Sequence, residues 1–382
     1  MFPTAETDFG LSMLRCVPSN VSLVVSPISA IFTLAMVHVG SKGTTRSELE
    51  SVISKGADTE GSNSVEGYYA RLFKRITNPR DGVKSRITNR FFLNERGDVE
   101  MDYEVSILSL YGAKIERMDF GRANQTAKVI DGFIAETTER KIRNMVKEGN
   151  VEGIFSLVVN ANYFTAKWKF KFDKNSNSKG TFYTSEGKER EVEYMNGSNQ
   201  ESLHAEDDDV QVLSLPYLDT SYALNIFLPK SRKSRFGLHE VRARLTGERV
   251  QSLLSNLEKT KISITIPKMK IEAGLNLEKA LKDMGVTKSF STKADFTGIL
   301  GRQLCVGGAA HRATIEVDEH GTTAAAGTVF TRFESMSAIV GERVKFEANH
   351  PFLFILTKDN DPLFMGQFVH FFLGCQCQLF YG

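Results

Sequence analysis

Residues 311–328 read HRATIEVDEHGTTAAAGT, and no other stretch constrains the fold as tightly. The segment begins as a strand: Ala313, Ile315 and Val317 alternate with Arg312, Thr314 and Glu316. At Gly321 its character changes. From there through Thr328 every side chain is Gly, Ala or Thr, in a chain otherwise rich in large residues. Such a run has too little apolar bulk to anchor a core, and no charge to mark a solvated loop. It suits a segment that lies in water at one time and slides between close-packed strands at another. The plain alternative is a flexible linker of small residues.

The chain has 382 residues and is 41% hydrophobic, enough for one large core or two ordinary ones. Lys plus Arg number 48 and Asp plus Glu 46; the resulting net charge of +2 argues against nucleic acid or another polyanion as partner. The four cysteines, Cys16, Cys305, Cys375 and Cys377, are too few and too scattered for a disulfide framework, and they suit a reducing compartment. The start, MFPTAETDFGLSML, places Glu6 and Asp8 where a secretory signal would be apolar. No run approaches the ~20 apolar residues that cross a bilayer. A cytoplasmic protein without membrane segment or cofactor is expected, extracellular only if the start codon is misassigned. Sequons at Asn20, Asn124 and Asn196 read as chance matches.

Helical signals dominate the first part. Ser26 and Pro27 offer a cap and a first-turn proline to ISAIFTLAMVHVG, which is apolar on nearly every side and therefore buried. The run from Thr45 to Glu48 reads as a capping box ahead of Leu49, Val52 and Ile53. Residues 66–76, 125–146 and 276–284 read as further helices. Strand patterns take over from Leu157: SLVVNANYFTAKWKF, VQVLSL, YALNIFL, ISITIPKMKIE, HRATIEV, RVKFEA, and PFLFILT with PLFMGQFV across a KDND turn. Without βαβ alternation or repeats, this order gives an α+β class with large sheets. Enzyme signatures are lacking: no phosphate loop, GxSxG elbow or HExxH helix occurs. The acidic run 206–209 reads as a charged turn rather than a metal site. Arg71, Lys74, Arg75, Arg80, Lys84 and Arg86 read as a solvated helix face.

An ordered series of motifs resembles the serpin family of serine protease inhibitors over roughly residues 8–369. NVSLVVSPISA is similar to the family's lead-in to its buried second helix, and HVGSKGTTRSEL to the loop and helix that follow. LVVNANYFTAKWKFKF resembles the central-sheet strand with its tryptophan, here Trp168, the only one. IPKMKIE, LKDMGVTKSFSTKADFTGI, the 311–328 stretch and FEANHPFLFIL complete the series. The resemblance implies a large central mixed β-sheet, two smaller sheets, about nine helices and an exposed reactive-centre loop at about residues 319–345. It implies a single domain over residues 1–382 and a monomeric inhibitor, not an enzyme, that traps a serine or cysteine protease covalently and inserts its cleaved loop into the central sheet; the alternative is a non-inhibitory member acting as a chaperone or binding protein.

Residue roles follow from the same resemblance. Glu319, Gly321, Thr322, Thr323, Ala324, Ala325, Ala326, Gly327 and Thr328 form the hinge, with Thr322, Ala324, Ala326 and Thr328 facing inward. Glu319 and Lys268 pair beside Trp168 where the loop enters the sheet. Ser26, Ser29, Asn160 and His311 form the polar cluster beneath the parting strands; on residue type alone, His311 reads as a satisfied core histidine. The family register puts the scissile bond between Ser335 and Met336. Cleavage after Glu334, or between Met336 and Ser337, stays open. The tail HFFLGCQCQLFYG, residues 370–382, departs from the family pattern.

Overall fold

Alternating apolar strands must stack their buried faces against something, and this chain does so with two sheets and a shell of helices. The computed structural model describes residues 2–57, 64–78, 82–184, 187–230, 237–301, 309–322 and 344–369, without the side chains of 86–89, 160, 199–200 and 309–310. First come α1 (Phe2–Arg15), β1 (Leu23–Val25), α2 (Pro27–Val39), α3 (Gly43–Ile53) and α4 (Val65–Thr77). They are followed by β2 (Val83–Asn94), α5 (Met101–Tyr111), β3 (Ile115–Met118), α6 (Ala123–Thr137) and β4 (Ser156–Lys167). Strands then dominate: β5 (Ser178–Tyr183), β6 (Glu189–Glu206), β7 (Val210–Pro216) and β8 (Tyr222–Pro229). The helices α7 (Gly237–Arg244) and α8 (Gly247–Ser255) lead to β9 (Glu258–Pro267), β10 (Met269–Asn276), α9 (Leu277–Asp283) and the single turn α10 (Thr297–Leu300). The last strands are β11 (Ala309–Asp318), β12 (Gly321–Thr322), β13 (Val344–Glu347), β14 (Phe352–Lys358) and β15 (Asp361–Phe368).

The central sheet runs β10-β11-β12-β4-β2-β3 and is mixed, with β11·β4 and β2·β3 parallel. The other strands form one hydrogen-bonded path, β1-β15-β14-β8-β7-β6-β9-β13, with β5 attached to β6. The two smaller sheets of the family are thus joined through the long β6, which shifts register between Gly197 and Gln200. Both faces of the central sheet are covered. Leu157, Val159 and Ala161 pack under Ala127, Ile130 and Ile134 of α6. Between them, Val158, Phe164 and Ala166 face the main core, which contains α2.

Several boundaries differ from the sequence reading for identifiable reasons. Ser26 precedes α2 but does not cap it; its hydroxyl donates to Leu363 of β15 and accepts from Asn162 of β4. Helix α3 begins at Gly43, and Thr45 instead accepts from the Asp295 amide at 2.9 Å. The helix expected over 125–146 stops at Thr137, where Glu139, Arg140 and Asn144 take positive φ. The ISITIPKMKIE run breaks at Lys268 into β9 and β10, which belong to different sheets. In the KDND turn, Asp359 and Asn360 both have positive φ (48° and 71°), the conformation of a tight hairpin. The acidic run 206–209 is a turn in which Arg249 pairs with Asp207 and Asp209.

Candidate functional site

The site is the seam between β11 and β4. Its lower part is closed: the two strands pair directly and in parallel, from Ala309 opposite Val158 to Thr314 opposite Tyr163. Its upper part is already parted by a wedge. After Asp318 the chain reverses, and β12 pairs with both neighbours: Thr322 lies opposite Val317 and Ala166, Gly321 opposite Asp318 and Lys167.

Local chemistry builds the reversal. The Asp318 Oδ1 accepts the amides of His320 (2.7 Å) and Gly321 (3.1 Å), an aspartate-nucleated turn. At Gly321 φ is +153°, and a Cβ there would lie 2.0 Å from the Ala166 carbonyl oxygen. Only glycine fits. Trp168 N donates to the His320 carbonyl at 3.0 Å and Phe172 N to the Glu319 carbonyl at 3.1 Å, tying the turn to the chain leaving β4.

Thr322 is fully buried. Its hydroxyl lies 2.5 Å from the Tyr217 hydroxyl, and its carbonyl accepts from Thr165 Oγ1 at 2.9 Å. Tyr217 stacks on Trp168, ring centroids 4.5 Å apart, and Trp168 Nε1 donates to the Asp318 carbonyl at 2.8 Å. Burial pushes the Tyr217 phenol far above its ordinary pKa, so it stays a neutral hydroxyl partner.

Beside the wedge sits a charged cluster. Lys268 Nζ lies 2.7 Å from Glu319 Oε1 and 2.8 Å from Glu193 Oε1, and Asn177 Nδ2 donates to both carboxylates at 2.5 and 2.8 Å. Glu319 is only 5% exposed. Burial pushes its carboxyl up, but the hydrogen bonds from Lys268 and Asn177 outweigh this and hold it below the usual carboxylate range. Glu193 is lowered chiefly by Lys268, and the Lys268 ammonium is held above its ordinary value despite its partial burial.

Lower on the seam, His311 Nε2 accepts the Ser26 amide at 3.0 Å, so a neutral ring carries its proton on Nδ1. Ser26 Oγ donates to the Leu363 carbonyl and accepts from Asn162 Nδ2, both at 2.6 Å. This links β11, β4, the start of α2 and β15. Burial pulls the His311 pKa down to about 4. Ser29 is buried on α2, one turn from Ser26. The Asn160 backbone pairs with His311, while its side chain lies outside the described residues.

The structure therefore brings Glu319, Gly321, Thr322, Lys268 and Trp168 together at the top of the seam, and Ser26, Ser29 and His311 below. Thr323, Ala324, Ala325, Ala326, Gly327, Thr328, Glu334, Ser335, Met336, Ser337 and the 370–382 tail lie outside the described residues. Sequence reasoning missed Tyr217, Thr165, Asn177, Glu193 and Asn162. Only Asn162 carried a usable signal, since it shares a face with Asn160 by the period of two. Among the described residues there is no group of three or more metal-binding side chains, and no helix is long and apolar enough to cross a membrane.

A mixed central sheet whose parallel strands β11 and β4 are parted at one end by the two-residue β12 is the arrangement the site presents. The model of the serpin (serine protease inhibitor) family matches residues 4–371. Serpin B6 of Macaca fascicularis is 31% identical, covering 95% of this chain and 98% of its own. Human Serpin B3 is 29% identical over 91% and 93%. Serpin48 of the insect Tenebrio molitor superimposes with a TM-score of 0.85 at 27% identity, over 97% and 98% of the two chains. This chain belongs to the serpin family, a family of protease inhibitors rather than enzymes.

Proposed function

We propose that this serpin is an inhibitor that works by inserting its cleaved loop between β11 and β4. The observation that carries the reading is β12, already hydrogen-bonded on both edges at the top of that seam. A target protease attacks a carbonyl in the bait with its serine hydroxyl or cysteine thiol. The peptide bond breaks, the new amine leaves with a proton, and the N-terminal part of the loop stays attached as an ester or thioester. Continuing β12 downward separates the parallel β11·β4 pairing and gives each inserted residue a ladder on both sides. The acylated protease is carried along before water completes hydrolysis.

The residues after Thr322 support this reading. Ala324, Ala326 and Thr328 continue its inward face with methyl-sized groups, whereas a charge buried there would cost several kcal/mol. The preferred scissile bond is between Ser335 and Met336, with cleavage after Glu334 or before Ser337 as alternatives. The partner is a serine protease, with papain-like cysteine proteases also within the reading, and the place of action is the cytoplasm.

The test is incubation with a panel of serine and cysteine proteases. An SDS-stable adduct with the summed mass less that of the released C-terminal fragment is expected with at least one of them, and mass spectrometry of that fragment identifies the bond. Thr322→Arg should turn that inhibitor into a plain substrate, cleaved at the same bond without adduct. Undiminished adduct formation by this variant would exclude insertion as the trapping step.

A further inference from the structure

We propose that the exposed face of α5 is a contact surface for a second copy of this chain, forming a reversible two-fold dimer. The helix has two apolar faces where an ordinary surface helix has one. Tyr103, Ile107 and Tyr111 face the core, and the Tyr103 hydroxyl donates to the Met36 carbonyl at 3.1 Å. On the outer side stand Met101, Val105 and Leu108, 77%, 61% and 52% exposed. Their spacing of four and then three residues makes one continuous stripe, about 10 Å long. Seven large apolar side chains are exposed among the described residues; three share this stripe, while Val129, Phe170, Tyr183 and Leu218 stand apart on other segments. Single exposed apolar residues need no explanation, but a stripe does.

The charges flanking the stripe select the occupant. Asp98, Glu100 and Asp102 are exposed at the N-terminal end of α5, and Lys114 is exposed just past its C-terminal end. None of these four makes an ion pair among the described residues, whereas Arg117 reaches its own Glu104 at 3.4 Å. Charge thus reverses sign along the helix. A uniformly basic segment would be repelled at Lys114 and Arg117, and a uniformly acidic one at the other end. A second α5 laid antiparallel satisfies both ends. It sets Met101 against the partner's Leu108 and Val105 near the axis, brings Lys114 toward the acidic N-terminal end of the partner helix, and opposes the two helix dipoles. One short stripe falls well below the ~1,200–2,000 Å² of a permanent interface, so the dimer is concentration-dependent. This goes beyond the inhibitory reading and does not depend on it.

Analytical ultracentrifugation of the full chain under reducing conditions, from low-micromolar to sub-millimolar concentration, tests the proposal. Wild-type mass should rise toward that of two chains. Val105→Glu should weaken association by at least about tenfold without changing the melting temperature, because the side chain is exposed. Lys114→Glu should weaken it roughly threefold, and adding Asp98→Lys in the same chain should restore it. A wild-type chain that stays monomeric throughout overturns the proposal. So does association that persists unchanged in Val105→Glu, which would place the contact elsewhere, for instance on the apolar 370–382 tail.

Discussion

Two buried hydroxyls, those of Thr322 and Tyr217, meet at the end of β12. Thr322 and Tyr217 satisfy each other where water is excluded, so removing one leaves the other buried without this bond, at a cost of about 1–3 kcal/mol. Tyr217→Phe keeps the stack on Trp168 and loses only the bond. Amide exchange at residues 321–322 should then rise roughly tenfold to a hundredfold at an unchanged global melting temperature; unchanged exchange would mean the hydroxyl pair does not hold the wedge. His311 supplies a pH dependence. Its folded pKa of about 4 lies below the ordinary 6.5, so protons bind the unfolded chain more readily. The stability it contributes is complete above about pH 6.5 and is lost as pH falls toward 4. The total is about 3 kcal/mol, because burial disfavours the charged ring. Subtracting the pH–stability profile of His311→Gln from that of the wild type should isolate this loss. A flat difference between pH 4 and 6.5 would refute the role given to the ring.

At the scale of elements, β12 is two residues long and depends on one glycine. Any Cβ at Gly321 collides with the Ala166 backbone, which cannot swing away as a side-chain end could. Gly321→Val should therefore expel β12 from the seam. Trp168 is the sole tryptophan and donates to Asp318 beside the turn, so its emission should shift with that expulsion; an unshifted spectrum would show that the turn tolerates a side chain. The same element shows what the sequence could and could not reveal. The strand pattern of β11 and the small residues beyond Gly321 were legible, because period-two burial and lack of bulk are local properties. So were the buried α2 and the β14–β15 hairpin. The partners of Thr322 were not, because Tyr217 and Thr165 reach it across more than a hundred positions of chain. The end of α6 was hidden too. Residues 138–146 keep enough apolar residues to continue a helix pattern, yet Ile142, Met145 and Val146 reach the α6 core from an irregular path with positive-φ turns. The α1 helix and the 18-residue β6 lacked a clean period, since β6 serves two sheets across a register shift.

At the scale of the whole molecule, loop insertion on cleavage requires a native state that is not the most stable one available to the chain. The parallel β11·β4 seam occupies a place that an inserted strand continuing β12 would fill with antiparallel ladders on both edges. Lys268 with Glu319 and Glu193 flanks the parted top of the seam, and His311 with Ser26 lies at its closed lower part. Such a molecule is kept folded by a barrier, and cutting the bait removes the tether that opposes insertion. The measurement that tests this most directly compares melting temperatures of the intact protein and of protein nicked once within residues 323–343 by a protease it does not trap. At about 1 kcal/mol for each net hydrogen bond gained over some ten inserted residues, the nicked form should melt more than about 10 °C higher. A nicked chain that melts at or below the intact one would contradict the claim that the sheet gains stability by taking up its own loop.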